Sequence, residues 1–432
     1  MRRDIIAMSQ KERQRYHLLK MVIEGKITLK DAVRVMEISY RHAKRLKRKL
    51  ISEGAKGLVH GNRGRRSPKA LNAELAQRII ALSREKYANF NDTHFTEKLK
   101  QAEGITVGRD TVRRLRRNNG IVPKRKRRAR RHHQRRARKP QAGMMVLWDG
   151  SPHRWFGKDK APCCLMAAID DATSKLLGAF FIPYECSFGY LKLLEHLVTR
   201  YGIPLSIYQD RHGTLHRNDD HWTLDEQLKG EQDPTQVGGV LQALGISPIF
   251  ALSPQAKGRI ERLFGVLQDR LIAEMELRNI TEIAAANTFL TEHFIAEHNR
   301  RFAIKPQGAQ RAWRTIPRDV DITRTISFHY QAVVGNDNAV RLGGMVIDIP
   351  EGPRKRGYAK AKVEVRQLLD GRWRVYHKNT VIAQTNPTPL REPIKARPRK
   401  KPRARAASEE QWVYMASAVE RGHFHCAVKG TY

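Results

Sequence analysis

Two apolar runs that each end in an aspartate place the strongest constraint on the fold. Residues 144–149 (MMVLWD) and 205–210 (LSIYQD) are short and mostly apolar, which is typical of buried β-strands. Two further runs, at residues 163–169 and 176–182, have spacings that suit an antiparallel meander with the first run. These runs alternate with helical patterns at residues 188–201 and 236–244, and a last strand is predicted at residues 246–251. Alternating strands and helices predict a mixed sheet with both faces covered.

A third acid, Glu261, lies within the stretch of residues 251–271. Ser253 followed by Pro254 predicts the start of a helix. Apolar residues then follow at helical spacing: Ile260, Leu263, Phe264, Leu267 and Leu271. Glu261 lies about 100° round the helix from the first of these, at the edge of the apolar stripe. A solvated glutamate on an amphipathic helix is the ordinary alternative for such a residue.

The three acids together suggest a site for divalent cations. If the strands that end at Asp149 and Asp210 are neighbours, their carboxylates lie within reach of one ion. Oxygen ligands suit Mg²⁺ or Mn²⁺, and two such ions about 3.5–4 Å apart stabilise the attacking and leaving oxygens of a phosphodiester. Acids at strand ends are also common turn residues, so any one of them alone is weak evidence.

The net charge of +39, from 82 Lys and Arg against 43 Asp and Glu, indicates a polyanionic partner. Double-stranded DNA is the favoured partner, and a membrane surface is the alternative. The sequence has no run of 18 apolar residues and no secretory leader, which predicts a cytoplasmic protein without a membrane span. The four cysteines show no CxxC spacing, so we expect reduced thiols and no cysteine-bound zinc.

The first 65 residues have the pattern of a helix-turn-helix domain. Ser9, Thr28 and Ser39 are predicted N-caps of three helices, the last two separated by a short turn. The third helix is basic, and its DNA-binding candidates are Arg41, Lys44, Arg45 and Arg48. In a helix-turn-helix this helix enters the major groove. An αα-hairpin with a solvated charged face is the alternative.

Residues 66–122 repeat the pattern and predict a second helix-turn-helix domain. Its last helix is expected to begin near Thr106, with Val112 and Leu115 facing inward. The DNA-binding candidates on this helix are Arg109, Arg113 and Arg114, and we expect Arg116 and Arg117 to face outward with them.

Residues 123–142 form a basic linker in which 11 of the 16 residues from 124 to 139 are Lys or Arg. A run this basic does not fold alone and is expected to be an arm that follows DNA phosphates, with Arg127 and Arg128 as DNA-binding candidates. A nuclear-localisation signal, or metal binding by the adjacent His132 and His133, is the alternative.

After the α/β core at residues 143–305, short apolar segments separated by Gly and Asn predict a small β-rich domain at residues 306–390. We expect it to resemble a β-barrel with basic faces that bind DNA or a partner subunit. The tail at residues 391–432 is rich in Pro and Arg at its start and is expected to be disordered until bound.

Four segments carry a family resemblance: LWDG at 147–150, IDDATSK at 169–175, YQDRHGT at 208–214 and SPQAKGRIER at 253–262. They resemble the catalytic core of the retroviral-integrase superfamily. Within it the chain is identified as similar to the bacterial insertion-sequence DDE transposases, in particular to the ISNCY group. Two features depart from the integrases: the gap between Asp210 and Glu261 is longer, and helix-turn-helices replace the amino-terminal zinc module.

The resemblance implies a multidomain fold: all-α helix-turn-helix units, an α/β RNase H-like core with a mixed sheet, and a small β-barrel-like domain. It implies that Asp149, Asp210 and Glu261 are catalytic residues that bind two Mg²⁺ or Mn²⁺ ions, and that Lys257 and Arg259 contact DNA. Asp170 and Asp171 compete with Asp149 for the first metal position; we expect them to be turn and supporting residues.

The implied activity is that of a transposase which binds the terminal inverted repeats of its element, cleaves DNA and joins the end to a target. Such a protein acts as at least a dimer on DNA and associates with the bacterial nucleoid while bound. A catalytically inactive DNA-binding regulator and a metal-dependent nuclease without strand transfer are the alternatives.

Overall fold

The computed structural model describes residues 6–63, 71–124, 136–217, 222–251 and 258–389. The chain divides into two compact units, residues 1–81 and 82–432, and each is described by itself. In the described part of the chain, no helix is both long enough and apolar enough to cross a membrane.

The first unit begins with three helices, α1 (Gln10–Ile23), α2 (Leu29–Met36) and α3 (Tyr40–Glu53). Their predicted N-caps are confirmed, because the side chains of Ser9, Thr28 and Ser39 each accept a hydrogen bond from the backbone three residues on. Leucines from α1, α3 and a following 3₁₀ turn form its core: Leu19, Leu46, Leu50 and Leu58. Glu37 ends α2 in the left-handed region, with φ of 52°, and makes the sharp turn into α3.

Helix α4 (Ala73–Glu85) contains the boundary between the two units. In the second unit, α5 (Asp92–Gln101) follows with Asn91 as its N-cap, and α6 (Arg109–Asn118) begins after Gly108. The helix predicted to start near Thr106 therefore starts slightly later. Tyr87, Phe90 and Phe95 are buried beside one another and form an aromatic centre for this helical region.

The core of the second unit is a five-stranded sheet in the order β3-β2-β1-β4-β5. Its strands are β1 (Val146–His153), β2 (Cys163–Asp170), β3 (Leu176–Ile182), β4 (Ser206–Gln209) and β5 (Ser247–Phe250). The first three form the predicted antiparallel meander. β4 then pairs with β1 in parallel, and β5 pairs with β4 in parallel. The sheet is therefore mixed, as expected.

Helices cover both faces of this sheet. On one face α7 (Ser187–Tyr201) and α9 (Gln236–Ala243) pack with Trp148 and Ile207. On the other face α10 (Gly258–Leu277) packs with Leu147 and Tyr208. The apolar stripe predicted for α10 is confirmed, since all five of its residues are buried. The predicted start of this helix at Ser253 and Pro254 lies outside the described residues. A short helix, α8 (Leu224–Lys229), lies between β4 and α9.

The outer edge of β3 is covered by two asparagines rather than by another strand. Helices α11 (Ile283–Phe289) and α12 (Ile295–Phe302) are joined by a π-helical turn, Leu290–Phe294. The amide of Asn287 bonds both backbone groups of Phe181, at 2.6 and 3.1 Å. The amide of Asn299 bonds both backbone groups of Leu176, at 2.7 and 2.8 Å.

The π-helical turn explains how two residues twelve positions apart meet one strand. In a regular α-helix they would lie about 120° apart round the axis, at about 100° per residue. The extra residue of a π-turn reduces this angle to about 20°. The helical rise between them is about 17 Å, which matches five residues of strand at about 3.3 Å each.

The chain then forms helix α13 (Ile322–Thr325) and six short strands. They are β6 (Phe328–Val333), β7 (Ala339–Leu342), β8 (Met345–Asp348), β9 (Lys362–Gln367), β10 (Trp373–His377) and β11 (Thr380–Gln384). The predicted barrel is not confirmed. The described strands form an open antiparallel sheet, β11-β10-β9-β6, and a separate hairpin of β7 and β8. Apolar side chains of this sheet, such as Phe328 and Trp373, belong to the same buried cluster as α7 and α9.

Candidate active site and DNA-binding surfaces

Asp149 and Asp210 lie side by side because β1 and β4 are parallel neighbours. Val146 pairs with Ile207 and Leu147 with Tyr208, and the same register places Asp149 next to Asp210. The indole Nε1 of Trp148 donates to Gln209 Oε1 at 3.0 Å, which links the two strands one residue before the acids. The structure thus brings two of the predicted site residues together.

Both aspartates are placed on the sheet face that α10 covers. Side chains alternate along a strand, and Leu147 and Tyr208 belong to the apolar cluster of α10. Asp149 and Asp210 each follow one of these residues by two positions. Both are half-buried, and Asp210 Oδ1 accepts the backbone N–H of His212 at 3.1 Å. The two carboxylates therefore keep contact with solvent while their backbones are fixed.

Glu185 is a further carboxylate near these two that the sequence analysis missed. It lies between β3 and α7, and Tyr190 donates its hydroxyl to Glu185 Oε1 at 2.5 Å. A Cβ atom on Gly150 would lie 2.6 Å from Glu185 Oε2, so the glycine next to Asp149 leaves room for this carboxylate. The sequence does contain a signal for Glu185, because it lies three residues after the apolar run that ends at Ile182.

The local potential at this end of the sheet is negative. Burial raises the pKa of the Tyr190 hydroxyl well above its usual value, and the charges of Glu185, Asp149 and Asp210 raise it further. A concentration of carboxylates with oxygen-only donors fits hard divalent cations such as Mg²⁺. The residues present at Asp149 and Asp210 are therefore suitable ligands for the expected ions.

Glu261 is exposed on the first described turn of α10. Further along the helix, Gln268 Nε2 lies 3.5 Å from Ser151 Oγ, and Ser151 follows Asp149 by two residues on β1. This face of α10 is thus directed toward the strand of Asp149. In the described part of the chain, however, no three His, Cys, Asp or Glu side chains are close enough together to hold one metal ion. The structure does not bring Glu261 into contact with the aspartate pair.

Asp170 pairs with Val146, three residues before Asp149 on β1, and Asp171 follows β2. Asp170 accepts the backbone N–H of Gly143 at 2.9 Å and both the N–H and hydroxyl of Thr173. Asp171 accepts the N–H of Lys139 at 2.7 Å and pairs with the guanidinium of Arg136 at 2.5 Å. These aspartates hold a turn and the end of the basic linker.

Arg259, a predicted DNA contact, also takes part in this anchor. Its guanidinium pairs with Asp171 and donates to the carbonyl of Arg136 at 2.6 Å. Its role on DNA stays a prediction. The other predicted contacts near here, Lys257, Arg127 and Arg128, lie outside the described residues.

The basic helix of the first unit exposes its predicted DNA-binding residues. Helix α3 buries Ala43, Leu46 and Leu50 on one side. The four candidates on its other side are exposed: Arg41, Lys44, Arg45 and Arg48. Because the buried side is apolar and the exposed side is cationic, α3 is suited to lie in a groove of DNA.

Helix α6 exposes Arg109, Arg113 and Arg114, but the prediction that Arg116 and Arg117 face outward is wrong. Arg116 is 3% exposed and donates to Asp92 Oδ1 at 2.8 Å and to the Phe90 carbonyl. Arg117 is half-buried and pairs with the other oxygen of Asp92 at 2.6 Å. Arg116 lies four residues after the buried Val112, on the same side of the helix.

A buried polar cluster, which the sequence analysis also missed, joins α5 to α10. Glu274 is 3% exposed and contacts His94 Nε2 at 2.7 Å, Lys98 Nζ at 2.6 Å and the Arg278 guanidinium at 2.5 Å. Burial alone would raise the pKa of Glu274, but the bonds from His94 and Lys98 lower it to about 2.

His94 in this cluster is neutral and donates its Nε2–H to Glu274. Burial lowers the pKa of His94, although the adjacent carboxylate acts against that. Among the described residues, His94 Nδ1 has no hydrogen-bond partner. A protonated ring would leave a buried N–H unsatisfied there, which is costly. Lys98 and Arg278 therefore supply the positive charge that balances Glu274.

Comparison with known proteins agrees with both parts of this description. A helix-turn-helix domain model matches residues 14–68. A Sinorhizobium fredii protein named as a transposase, y4bF, is 33% identical over 369 residues, which cover 85% of this chain and 79% of that protein. The transposase of the insertion sequence IS1202 from Streptococcus pneumoniae is 33% identical over 329 residues, which cover 68% of this chain and 69% of that protein.

Two solved structures overlap the fold only loosely. A simian T-cell lymphotropic virus intasome in complex with the PP2A regulatory subunit B56γ has a TM-score of 0.28 at 12% identity, covering 72% of this chain and 99% of that one. The HTLV-2 integrase catalytic core domain with magnesium has a TM-score of 0.23 at 14% identity, and the match covers 34% of this chain and 82% of that one. The sequence relatives decide the class: the chain belongs to the transposases of bacterial insertion sequences.

Proposed function

We propose that this transposase binds the terminal inverted repeats of its own insertion sequence, cleaves DNA at each end and joins the exposed 3′-hydroxyl to target DNA. The observation that carries the proposal is the position of Asp149 and Asp210 on neighbouring parallel strands. Both acids face α10, the helix that carries Glu261. An acidic centre in a chain of net charge +39 is suited to bind phosphodiesters through intervening cations.

Two Mg²⁺ or Mn²⁺ ions, when bound, would supply charge stabilisation for the attacking and leaving oxygens of an in-line displacement. Asp149 and Asp210 would hold them, since their strands are fixed to each other by the bond between Trp148 and Gln209. Glu261 would complete the site once residues near the start of α10 adopt the DNA-bound arrangement. The charge of Glu185 next to Gly150 would add to the attraction for cations.

DNA recognition is assigned to the exposed arginines and lysines of the two helical regions. Those on α3 and α6 would contact the element end, and the basic linker at residues 123–142 would follow the adjacent phosphates. Because two ends must be cut and joined together, we propose that the protein acts as at least a dimer on DNA, associated with the nucleoid of a bacterial cell.

A strand-joining assay tests this function. Purified full-length protein would be incubated with Mg²⁺ or Mn²⁺ and a labelled duplex that carries the element end. Wild-type protein and Glu261→Gln protein would be compared, with Glu276→Gln on the exposed side of the same helix as the matched control. We expect joined products from the wild type and the control, and none from Glu261→Gln, while all three proteins bind the duplex equally.

Other outcomes of this assay identify the alternatives. Cut but unjoined DNA from the wild type would indicate a nuclease without strand transfer. Tight binding without metal-dependent cleavage would indicate a DNA-binding regulator.

A further inference from the structure

A large basic groove lies along the β3 edge of the core sheet. Its volume is about 1250 Å³, above the range of roughly 300–1,000 Å³ typical of small-molecule pockets. The basic side chains that line it are Lys175, Lys192, Arg200, Lys305 and Arg311. All five are exposed. The groove does not include the three acids of the proposed active site.

One wall of this groove, which we call the β3-edge groove, is a polar stripe on α7 with a cation at each end. Lys192, His196 and Arg200 follow one another at intervals of four residues, so they share one side of the helix. The stripe is about 12 Å long at 1.5 Å per residue. One strand of duplex DNA carries three or four phosphates over that length, at about 3.4 Å per phosphate.

The opposite wall is held rigidly by backbone hydrogen bonds. Ile304 donates its N–H to the carbonyl of Thr173 at 2.8 Å, Gly308 to that of Pro140 at 2.9 Å and Ala312 to that of Ala142 at 2.8 Å. These bonds fix the segment that carries Lys305 and Arg311, so the groove is already formed without a ligand.

Three of the five cations of the β3-edge groove lie against aromatic rings. Lys175 and Arg200 lie over the ring of Tyr201, at 5.4 and 6.0 Å from its centroid, and Lys192 lies 5.4 Å from that of Phe180. None of the five basic residues forms an ion pair within the described ranges. The lining carboxylate, Asp170, is buried and accepts bonds from Gly143 and Thr173. The lining of the groove therefore carries a net positive charge.

We propose that the β3-edge groove is a second DNA-binding site, which takes the phosphodiester backbone of a DNA strand outside the helix-turn-helix contacts. The side-chain amides of Gln307 and Gln310 on its lining supply hydrogen-bond donors to phosphate and sugar oxygens. The site goes beyond the proposed cleavage chemistry, because it needs no metal ion and uses none of the three acids.

The salt dependence of DNA binding tests this site. Full-length wild type and the triple variant Lys175→Gln/Lys192→Gln/Arg200→Gln would be titrated, without divalent metal, with the element-end duplex and with a single strand of the same sequence. The control Lys229→Gln/Arg318→Gln/Lys355→Gln removes the same charge from exposed positions outside the groove. Circular dichroism would verify that each variant is folded.

Each lost phosphate contact lowers the slope of log K against log salt by about 0.9 on duplex DNA or about 0.7 on a single strand. We therefore expect the three substitutions of the groove variant to lower this slope by about 2 to 3 on the probe that occupies the site. The control variant should lower the slope by less than half of that amount, and Lys175→Arg/Lys192→Arg should keep the wild-type slope. The probe with the larger change tells whether a duplex or a single strand is bound.

Two results would overturn the proposal. The salt slope of the groove variant could equal that of the wild type on both probes, or the control variant could lose as much of the slope as the groove variant does. In the first case, a changed oligomeric state in sedimentation would identify the groove as an interface between copies. Because these measurements exclude metal, they do not depend on whether the protein cleaves or joins DNA.

Discussion

The larger unit contains two carboxylate sites that differ in how their charge is balanced. Asp149 within β1 and Asp210 directly after β4 are half-buried neighbours, with Glu185 nearby. On α10, Glu274 is 3% exposed and contacts His94, Lys98 and Arg278. The pKa of the Tyr190 hydroxyl is raised first by burial and further by the carboxylate charges beside it, whereas the bonds from His94 and Lys98 lower the pKa of Glu274 to about 2 against the effect of burial.

This contrast separates a structural role from a functional one. A carboxylate whose charge is balanced by the chain holds elements together, as Glu274 holds α5 against α10. Carboxylates that share one negative field are costly unless a cation from outside joins them. The aspartate pair should therefore affect activity with little effect on stability, and Glu274 should do the reverse.

The largest expected effect is the loss of activity in Asp149→Asn and Asp210→Asn. Each change should reduce end cleavage by about 10⁴-fold, the size of the loss when a catalytic triad aspartate becomes an amide. The thermal midpoint should stay the same or rise slightly, because repulsion between the acids is relieved. Cleavage of a labelled element end and thermal unfolding would be measured on the same preparations.

Asp171→Asn is the matched control for this prediction. Asp171 is buried and pairs with Arg136 and Arg259, so its change should lower the thermal midpoint. If Asp149→Asn destabilised the protein as much as Asp171→Asn, the distinction between the two kinds of carboxylate would not hold.

The second effect is the loss of stability in Glu274→Ala. Removal of this carboxylate leaves Lys98 buried without its partner, which costs about 3–5 kcal/mol for a buried pair. Hydrogen exchange at the backbone amides of α5 and α10 would measure the change. Glu276→Ala on the same helix is exposed and should change stability by no more than about 0.5 kcal/mol. Equal protection in the two variants would contradict a structural role for Glu274.

The third effect is the pH dependence of the stability that the Glu274 carboxylate contributes. The pKa of Glu274 falls from 4.5 to about 2 on folding, which corresponds to about 3 kcal/mol. This stability is present above about pH 4.5 and is lost as the pH falls toward 2. The difference in thermal midpoint between wild type and Glu274→Gln should therefore shrink over that range. A constant difference from pH 7 to pH 3 would show that the charge of Glu274 does not matter.

The smallest expected effects concern two arginines of α6, the buried Arg116 and the exposed Arg113. Arg116→Ala removes a buried partner of Asp92 and should cost about 1–3 kcal/mol of stability. Arg113→Ala removes an exposed charge and should leave stability within about 0.5 kcal/mol. It should reduce the salt slope of DNA binding by about 1. Thermal unfolding and a salt titration would check both variants, and a reversal of the two results would contradict the assigned roles.

Local patterns predicted the parts of this fold that depend on neighbouring residues. The N-caps at Ser9, Thr28 and Ser39 and the buried stripe of α10 follow from short-range spacing. The β1-β2-β3 meander does so as well, because consecutive antiparallel strands pair locally. The position of Asp210 at the end of its strand was visible for the same reason. Asp149 was expected at the end of its strand too, but it lies within β1, which continues to His153.

Features that depend on distant pairing were not predictable from those patterns. The parallel contact of β1 with β4 requires a crossover of more than fifty residues, and the sequence analysis could only assume it. The barrel was not confirmed, because β6 pairs with β9 and the described strands form an open sheet. Arg116 was assigned to the exposed side because its partner, Asp92, lies on another helix. The sequence analysis likewise assumed that Glu261 joins the aspartates, and among the described residues no such group of three acids is formed.

The asparagine pair at the β3 edge has a consequence for association between copies of the chain. An open strand edge invites fusion of one sheet with another, most of all where copies are held close together. Asn287 and Asn299 already occupy the backbone groups of Phe181 and Leu176. The sheet therefore cannot extend into a second copy by backbone pairing at these two residues.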